Sequence, residues 1–254
     1  MRSNEDWKIA VKAKIDEVLA NATAAEYPPP ASLPATIDHT LLKPDATPAQ
    51  INTLCDEAIK YGFKSCCVNG SYIPQVAERL QGTRAIPCVV VGFPLGAMKP
   101  SAKAFEAQEA VRDGAKEVDM VLHIGHLKSQ DYVCLHADVE AVVRACSPIP
   151  VKVILETVFL TDEEKIAASF VAAEAGAAFV KTCTGFAGGA ASPGDVALMK
   201  RTVSYKDGAV RVKASAGVRT YEKCLEVIKA GADRVGTSSG VAIMKKSDLV
   251  PGSH

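Results

Sequence analysis

Short apolar runs alternate with longer amphipathic stretches along most of the chain. Each run is rich in Val, Ile and Ala, is bounded by glycine or polar residues, and is followed by a turn and a helical repeat of apolar positions. Runs of this kind indicate strands that are buried on both faces. The pattern predicts strands over residues 36–42, 65–69, 87–92, 117–123, 151–157, 179–183, 210–215 and 234–238.

Strands that alternate with helices in this way predict an α/β protein with a parallel sheet. Eight such units in a chain of this length favour a closed (β/α)8 TIM barrel. An open, doubly wound sheet is the alternative, but it would need a glycine-rich nucleotide fingerprint after the first strand. Residues 37–43 contain no glycine, so we expect the barrel.

The ends of several helices are marked in the sequence. Thr47 and Thr161 each begin a capping box, and a proline follows Thr47 at the first helical position. Gly114, Gly176 and Gly231 each follow a helical pattern, where a residue with positive φ is expected.

The first 35 residues precede the barrel and are expected to form an extension and linker, followed by a catalytic domain over residues 36–248. Residues 4–25 have the pattern of an amphipathic helix, which we expect to cap the bottom of the barrel. Residues 27–30, Tyr-Pro-Pro-Pro, predict a stiff connector. The C-terminal residues 249–254 resemble a cloning remnant.

The composition narrows the range of partners. Lys and Arg total 29, and Asp and Glu also total 29, so the 254-residue chain has no formal net charge. This balance does not indicate a nucleic-acid or membrane partner, and no apolar run approaches the ~20 residues of a membrane span. The N-terminus does not resemble a targeting signal and the cysteines form no C-x-x-C pair, so we expect reduced thiols and a cytoplasmic location.

Two lysines stand alone in apolar runs. Lys181 lies in Ala-Phe-Val-Lys-Thr-Cys-Thr-Gly, and Lys213 lies in Val-Arg-Val-Lys-Ala-Ser-Ala-Gly. Lysine is almost never fully buried unless it is paired, and a strand covered on both faces has no solvent side. We expect the two side chains to face each other in one cavity, where each would lower the pKa of the other. An amine with a lowered pKa is the nucleophile that Schiff-base chemistry requires.

Further polar side chains are expected at the C-terminal ends of the strands, where barrel enzymes carry their active sites. Asp119 suits the proton transfers of Schiff-base chemistry. Lys152 and Glu156 are expected on one face of the fifth strand, because side chains alternate along a strand. A set of buried ion pairs is the purely structural alternative, but a dense charge cluster more often marks a site. The first two strands contribute Asp38, Thr40, Cys67 and Asn69.

No metal is expected, because no set of His and carboxylate residues has ligand spacing on one element. His39 and His123 are expected to form hydrogen bonds instead. An anion site is expected where small, glycine-containing turns follow the last three strands, because backbone N–H groups at a helix N-terminus bind phosphate. These turns are Thr184-Gly185, Ala216-Gly217 and Ser238-Ser239-Gly240.

These motifs resemble those of the deoxyribose-phosphate aldolases, a family of class I aldolases. The resemblance extends from about residue 37 to residue 240. It rests on Ile-Asp-His-Thr-Leu-Leu (37–42), Cys-Val-Asn (67–69), Glu-Val-Asp-Met-Val (117–121), Phe-Val-Lys-Thr-Cys-Thr-Gly-Phe (179–186) and Val-Lys-Ala-Ser-Ala-Gly-Val-Arg-Thr (212–220).

The resemblance implies roles for individual residues. Lys181 would form the Schiff base, Lys213 would be the neighbouring cation, and Asp119 would relay protons through water. The implied pocket and substrate contacts are Asp38, Cys67 and Thr184, to which we add Thr40 and Lys152. The implied phosphate-binding residues are Gly185, Ala216, Gly217, Ser238 and Ser239.

The family reaction is the reversible cleavage of 2-deoxy-D-ribose 5-phosphate to D-glyceraldehyde 3-phosphate and acetaldehyde. It needs no cofactor, and its enzymes are usually dimers or tetramers, so we expect a homodimer or homotetramer. Two departures are visible: Ala216 stands where many relatives have glycine, and no tyrosine follows Tyr221, although some relatives end in a tyrosine that assists proton transfer. We expect activity to be retained, with slower turnover of the enamine. Another class I phosphosugar aldolase or transaldolase, or a non-catalytic phosphosugar-binding barrel, are the alternatives.

Overall fold

The computed structural model of the protein describes residues 2–21 and 25–247. Its strands are β1 (Ile37–Leu41), β2 (Ser65–Val68), β3 (Ile86–Val91), β4 (Glu117–Val121), β5 (Val151–Ile154), β6 (Phe179–Lys181), β7 (Arg211–Ser215) and β8 (Arg234–Thr237). All neighbouring strands are parallel, and β8 pairs with β1 to close the barrel. The expected (β/α)8 barrel is confirmed, while the suspected remnant at 249–254 lies outside the described residues.

The helices follow the strands in the expected alternation. They are α1 (Asn4–Ala20), α2 (Pro48–Tyr61), α3 (Ile73–Arg79), α4 (Pro100–Arg112), α5 (Ile124–Lys128), α6 (Tyr132–Cys146), α7 (Asp162–Glu174), α8 (Pro193–Val203), α9 (Tyr221–Lys229) and α10 (Gly240–Ser247). Within residues 2–21 and 25–247, none of them has both the length and the apolar character needed to cross a membrane.

The predicted helix ends are confirmed. Thr47 and Thr161 accept hydrogen bonds from the third residue of their helices and complete capping boxes. Gly114, Gly176 and Gly231 have φ values of +109°, +90° and +111° after α4, α7 and α9. These positions turn each chain segment back toward the next strand.

Several strands end earlier than their apolar runs indicate. β4 ends at Val121 and β5 at Ile154, although buried residues continue through Leu122 and Leu155. Glu156 has a φ of +58°, which no strand residue adopts. The sequence pattern overestimates these strands because a loop buried under neighbouring segments is as apolar as the strand before it.

The N-terminal helix packs on the side of the barrel. Its apolar stripe, which contains Trp7, Val11, Ile15 and Val18, is buried, and the helix lies mainly against α7, α6 and α8. The expectation that this segment caps the bottom of the barrel is wrong, because its stripe faces the ring of helices. The helix also ends at Ala20 and does not reach residue 25 as expected.

Trp7 anchors α1 and gives a test of its docking. Its side chain is 5% exposed, and its ring lies 5.2 Å from that of His136 and 6.1 Å from that of Phe170. We predict that Trp7→Ala lowers the free energy of unfolding by about 3–5 kcal/mol, because truncation of a buried aromatic residue leaves a cavity. Denaturant unfolding followed by circular dichroism measures this, since Trp7 is the only tryptophan.

Ile9→Ala is the matched control on the same helix. Ile9 is 71% exposed, so its truncation is expected to change the free energy of unfolding by less than about 0.5 kcal/mol. Equal losses for the two variants would contradict the packing of α1 on the ring of helices.

Candidate active site

A cavity of about 310 Å³ opens at the C-terminal ends of β1, β6, β7 and β8. Most of the turns that the sequence singled out meet there. The predicted site residues on its surface are Thr40, Lys181, Thr184, Gly185, Ala216, Gly217 and Ser238. The cavity also exposes Lys43, Phe186 and Arg219, which the sequence did not single out.

Lys181 is the last residue of β6 and lies at the floor of this cavity. Its Nζ donates to Asp119 Oδ2 at 2.7 Å, and the residue is 3% exposed. Lys152 and Lys213 are fully buried and do not line the cavity. Among these three lysines, Lys181 is therefore the one whose amine a bound molecule can reach.

Lys213 lies beside Lys181 on the neighbouring strand, in register with it. Its Nζ donates to the same oxygen, Asp119 Oδ2, at 2.8 Å, and forms an ion pair with Asp38 Oδ2 at 2.5 Å. Gly236 on β8 makes room for this side chain, because a Cβ there would lie 2.9 Å from Lys213 Cε. The predicted convergence of Lys181, Lys213 and Asp119 is observed.

A second layer of charge lies directly beneath. Lys152 Nζ is 2.7 Å from Asp119 Oδ1 and 2.6 Å from Glu117 Oε2. Arg234 binds Glu117 through both terminal nitrogens, at 3.0 and 3.1 Å, and Asp38 at 2.6 Å. The sequence analysis did not predict Glu117 and Arg234 as site residues. Their signal was the alternation of side chains along a strand: Glu117 lies two residues before the inward Asp119, and Arg234 lies two residues before the inward Gly236.

These groups form one buried network, the interior charge cluster. Its four cations, Lys152, Lys181, Lys213 and Arg234, exceed its three carboxylates, Asp38, Glu117 and Asp119, by one charge when all are ionised. Buried charges are tolerated only where they are paired in this way. Loss of one proton from the cluster would balance its charges.

The cluster sets the ionisation of its deepest members. Burial would raise the pKa of Asp119, but Lys152, Lys181 and Lys213 outweigh burial and hold that pKa well below its usual range. Burial would lower the pKa of Lys213, but the carboxylates of Asp119 and Asp38 outweigh it and raise the pKa above its usual range. The expectation that the two lysines lower each other's pKa is therefore wrong for Lys213, which remains a cation.

Three predicted pocket residues lie behind the cavity floor. Asp38, Cys67 and Lys152 are fully buried and absent from the cavity surface. Asp38 accepts a hydrogen bond from Ser65 and ion pairs from Lys213 and Arg234. These side chains hold the charged groups of the floor in place.

Lys152 and Glu156 were expected on one face of β5, but the structure does not place them on one face. β5 ends between them, and the carboxylate of Glu156 accepts hydrogen bonds from the backbone N–H and the hydroxyl of Thr184. Glu156 thus fixes the turn that follows β6. Thr184 in turn accepts a hydrogen bond from the N–H of Phe186 at 3.0 Å.

The turns after β6 and β7 expose backbone in the left-handed region. Gly185, Ala216 and Gly217 have φ values of +86°, +79° and +71°. Only glycine fits at Gly217, because a Cβ there would lie 2.3 Å from Ala190 Cβ. Ala216 adopts the unusual φ without glycine, and its methyl group lies beside Gly185.

The turn after β8 leads into α10. Ser238 is exposed on the cavity surface, whereas Ser239 is not. The N–H of Ser239 donates to Thr237 Oγ1 at 2.9 Å. The N-terminus of α10 begins one residue later, at Gly240, and helix N-termini attract anions. Lys43 and Arg219 add positive charge at the rim.

The two histidines of interest form hydrogen bonds, as expected. His39 Nε2 lies 2.7 Å from Glu57 Oε2, outside the cavity. His123 lies beyond the end of β4, and its Nδ1 accepts a hydrogen bond from the N–H of His126 at 3.2 Å.

The floor of the cavity combines a reachable primary amine with a carboxylate in contact with it. An amine of this kind can add to a carbonyl group to form a Schiff base. Gly185, Ala216, Gly217 and Ser238 form a cradle on the wall of the same cavity.

Comparisons with known proteins agree with this geometry. A family model described as DeoC/LacD family aldolase matches residues 34–246. A Finegoldia magna protein named deoxyribose-phosphate aldolase is 53% identical over 209 residues, covering 82% of this chain and 97% of its own. A Streptococcus sanguinis protein with the same name is 54% identical over 209 residues, covering 82% and 94%.

Solved structures give the same relationship. A Coccidioides immitis protein assigned as a deoxyribose-phosphate aldolase has a TM-score of 0.94 and 38% identity, covering 98% of this chain and 99% of that one. A tetrameric deoxyribose phosphate aldolase of Aeropyrum pernix has a TM-score of 0.80 and 30% identity, covering 94% and 99%. Since the family model spans the whole barrel and relatives share half of its residues, the chain belongs to the DeoC/LacD family of aldolases.

Proposed function

We propose that this protein is a deoxyribose-phosphate aldolase that cleaves 2-deoxy-D-ribose 5-phosphate reversibly, through a Schiff base on Lys181. The observation that carries the proposal is the position of the Lys181 amine. It lies at the cavity floor, 2.7 Å from the Asp119 carboxylate, which also binds the cations of Lys213 and Lys152. The names of the close relatives support the choice of substrate.

The substrate binds with its phosphate in the cradle and its aldehyde at the floor. Gly185, Ala216, Gly217 and Ser238 form the phosphate site, and the N-terminus of α10 adds its dipole. Ser239, which was expected in this site, does not line the cavity, and its N–H donates to Thr237 Oγ1. The positive side chains at the rim, Lys43 and Arg219, complement the charge of the phosphate.

The reaction begins when the neutral amine of Lys181 adds to the aldehyde carbon, C1. Loss of water from the carbinolamine gives an iminium ion. The C3 hydroxyl then loses its proton and the C2–C3 bond breaks, so that its electron pair passes into the iminium group and leaves an enamine. D-glyceraldehyde 3-phosphate departs, the enamine takes a proton at C2, and water releases acetaldehyde and restores the amine.

The interior charge cluster carries one excess positive charge when every member is ionised. The pKa of Lys213 is raised and that of Asp119 is lowered, so both groups hold their charges. Lys181 is the lysine of the cluster that reaches the cavity. Lys213 then acts as the fixed neighbouring cation, and Asp38 and Lys152 act as positioning residues.

Asp119 is the proton carrier between the amine, water and substrate. Its carboxylate is ionised at rest and contacts Lys181 directly, so it acts as a transient acceptor that returns each proton over one hydrogen bond or through one water molecule. The same route also serves the protonation of the enamine at C2.

Two other functions would use parts of the same site. A different class I phosphosugar aldolase or transaldolase needs a Schiff-base lysine but not the fixed cation of Lys213 beside it. A non-catalytic phosphosugar-binding barrel needs the cradle but gives no reason for an amine at the floor. The joint presence of Lys181, Lys213 and Asp119 favours the proposed reaction over both.

The cellular setting follows from the same observations. Seven of the eight cysteines are buried as free thiols, which supports a reducing, cytoplasmic location. The tetrameric relative supports a homo-oligomer, a dimer or a tetramer. No cofactor is part of the proposed mechanism.

Trapping of the Schiff base tests the role of Lys181. Incubation with acetaldehyde and borohydride is expected to add one ethyl group, and peptide mass spectrometry is expected to find it on Lys181. Lys181→Ala is expected to lose both the adduct and cleavage of deoxyribose 5-phosphate, because Lys181 supplies the only amine at the cavity floor among residues 2–21 and 25–247. Lys99→Ala, at an exposed lysine, is the control and should leave both unchanged. An adduct on Lys152 or Lys213 would overturn the assignment.

The role of Lys213 gives a separate prediction. Lys213→Met removes one cation, so the interior charge cluster no longer carries an excess positive charge and holds its remaining protons more strongly. We expect the pH of half-maximal trapping to rise by about one unit or more, and kcat/KM at neutral pH to fall at least tenfold.

Lys103→Met is the matched control, because Lys103 is also fully buried and pairs with one carboxylate, Asp138, at 2.7 Å. Both variants are expected to lose stability, but only Lys213→Met is expected to move the pH profile. Identical pH profiles for Lys213→Met and the parent protein would contradict the electrostatic role of Lys213.

A further inference from the structure

Three different metal-binding side chains converge at the corner between α5 and α6, apart from the cavity. They are His126 near the end of α5, Asp131 in the connecting turn and Cys134 in the first turn of α6. Their ligand atoms all lie within 4.8 Å of one another. His126 Nδ1 and Asp131 Oδ2 are 4.0 Å apart, which is too long for a hydrogen bond.

We propose that this corner binds a divalent cation of the zinc type, through His126 Nδ1, Asp131 Oδ2 and Cys134 Sγ. Imidazole, carboxylate and thiolate are the ligands that Zn²⁺ takes in proteins, at about 2.0–2.3 Å. Ligands at these lengths around a tetrahedral ion stand about 3.3–3.7 Å apart, so the three atoms need only a small movement inward. The Cys134 thiol releases its proton to solvent as the sulfur–metal bond forms, and water takes the fourth position.

The corner is held in shape by hydrogen bonds between the ligand residues. Asp131 Oδ1 caps α6 by accepting a hydrogen bond from the N–H of Cys134 at 3.1 Å. The Cys134 thiol also hydrogen-bonds to the Asp131 carboxylate, and the cation would take the place of the thiol proton. The imidazole of His126 stacks on that of His123, with ring centroids 3.9 Å apart. A site with fixed ligands binds a metal more tightly than one that must first be ordered.

The N-terminal helix also secures this corner. Asn4 Nδ2 donates to the carbonyl oxygen of Gln130 at 3.1 Å, and Asn4 Oδ1 accepts from the N–H of Tyr132 at 2.9 Å. Gln130 has a φ of +55°, so the turn that carries Asp131 is tight. The first residues of the chain therefore fix the backbone on both sides of Asp131.

A second group of donors lies in the barrel interior but is unsuited to a cation. Cys67, Cys88 and Asp119 also approach one another, but all three are fully buried. Asp119 is bound by Lys152, Lys181 and Lys213, and Lys152 also contacts Cys88 Sγ at 3.3 Å. These ammonium groups repel a further cation. Cys134, in contrast, is exposed, whereas the other seven cysteines are buried.

The proposed site differs from what the sequence indicated and is independent of the proposed reaction. No metal was expected because no single element carries ligand spacing, and here the three ligands come from two helices and the turn between them. The floor of the cavity plays no part in the site, so its test does not depend on catalysis.

Metal titration of the full-length, reduced protein tests the proposal. Zn²⁺ is titrated against a chromophoric chelator, and Co²⁺ serves as the spectroscopic probe. One equivalent of Zn²⁺ is expected to bind and to raise the thermal midpoint of unfolding. Co²⁺ is expected to show the intense visible bands of a tetrahedral ion together with a thiolate-to-cobalt charge-transfer band.

Two variants test the ligands, and a third serves as the control. Cys134→Ser is expected to abolish the charge-transfer band, and Cys134→Ser and Asp131→Asn are each expected to weaken Zn²⁺ binding by about 100-fold or more. Asp131→Asn is informative because the amide oxygen still accepts the capping hydrogen bond, so α6 keeps its N-cap. Glu140→Gln removes a carboxylate from an exposed position of the same helix and is expected to bind as the parent does.

Some results would overturn the proposal. They are failure of the parent protein to bind Zn²⁺, unchanged affinity in Cys134→Ser or Asp131→Asn, or loss of binding in Cys67→Ser with Cys134→Ser unaffected. Because cleavage of deoxyribose 5-phosphate is measured separately, failure of this site leaves the proposed reaction untouched.

Discussion

The interior of this barrel depends on one carboxylate, that of Asp119, which binds three lysines from three other strands. The contacts from Lys152, Lys181 and Lys213 measure 2.7, 2.7 and 2.8 Å. Desolvation of so many charges is costly, and each ion is tolerated because its partners lie at hydrogen-bond distance. A neutral residue in place of Asp119 would leave three ammonium groups without their common counter-ion.

This arrangement reverses the usual distribution of residues in a barrel. The interior of a (β/α)8 barrel is commonly filled by branched apolar side chains, and here many inward positions are charged or polar. Many Val residues of the strands face outward and pack against the helices, for example Val89, Val118 and Val153, whereas Val90 packs with Cys67 and Cys88 in the interior. The apolar packing between strands and helices therefore supplies most of the stability, and the barrel interior holds the charged groups of the site.

The sequence predicts the parts of this structure that depend on local pattern. The alternation of strands and helices, the capping boxes and the glycines after helices all follow from short-range rules. Lys181, Lys213 and Asp119 could be found because a charge in an apolar run is conspicuous. The cavity turns were visible through their small residues.

The rest depends on distances between segments far apart in the chain. The ionisation of Lys213 cannot be inferred without knowing that Asp38 of β1 lies against it. Arg234 is the first residue of β8, so its sequence position is typical of a surface residue, and only the pairing of β8 with β1 shows that it is buried. The position of α1 also required the structure, because an apolar stripe shows that a helix packs but not on what.

The ion pairs of Arg234 limit how the sequences of this enzyme family can diverge. Arg234 links Glu117 to Asp38, Asp38 binds Lys213, and the remaining members join through Asp119. Loss of any one carboxylate leaves buried cations without a counter-ion, so such a change is expected to involve several members together. The cavity wall has no such coupling: Lys43, Phe186 and Arg219 are exposed and can vary one at a time. We therefore expect relatives with different substrate ranges to differ at residues of the cavity rim and to keep the residues of the interior charge cluster.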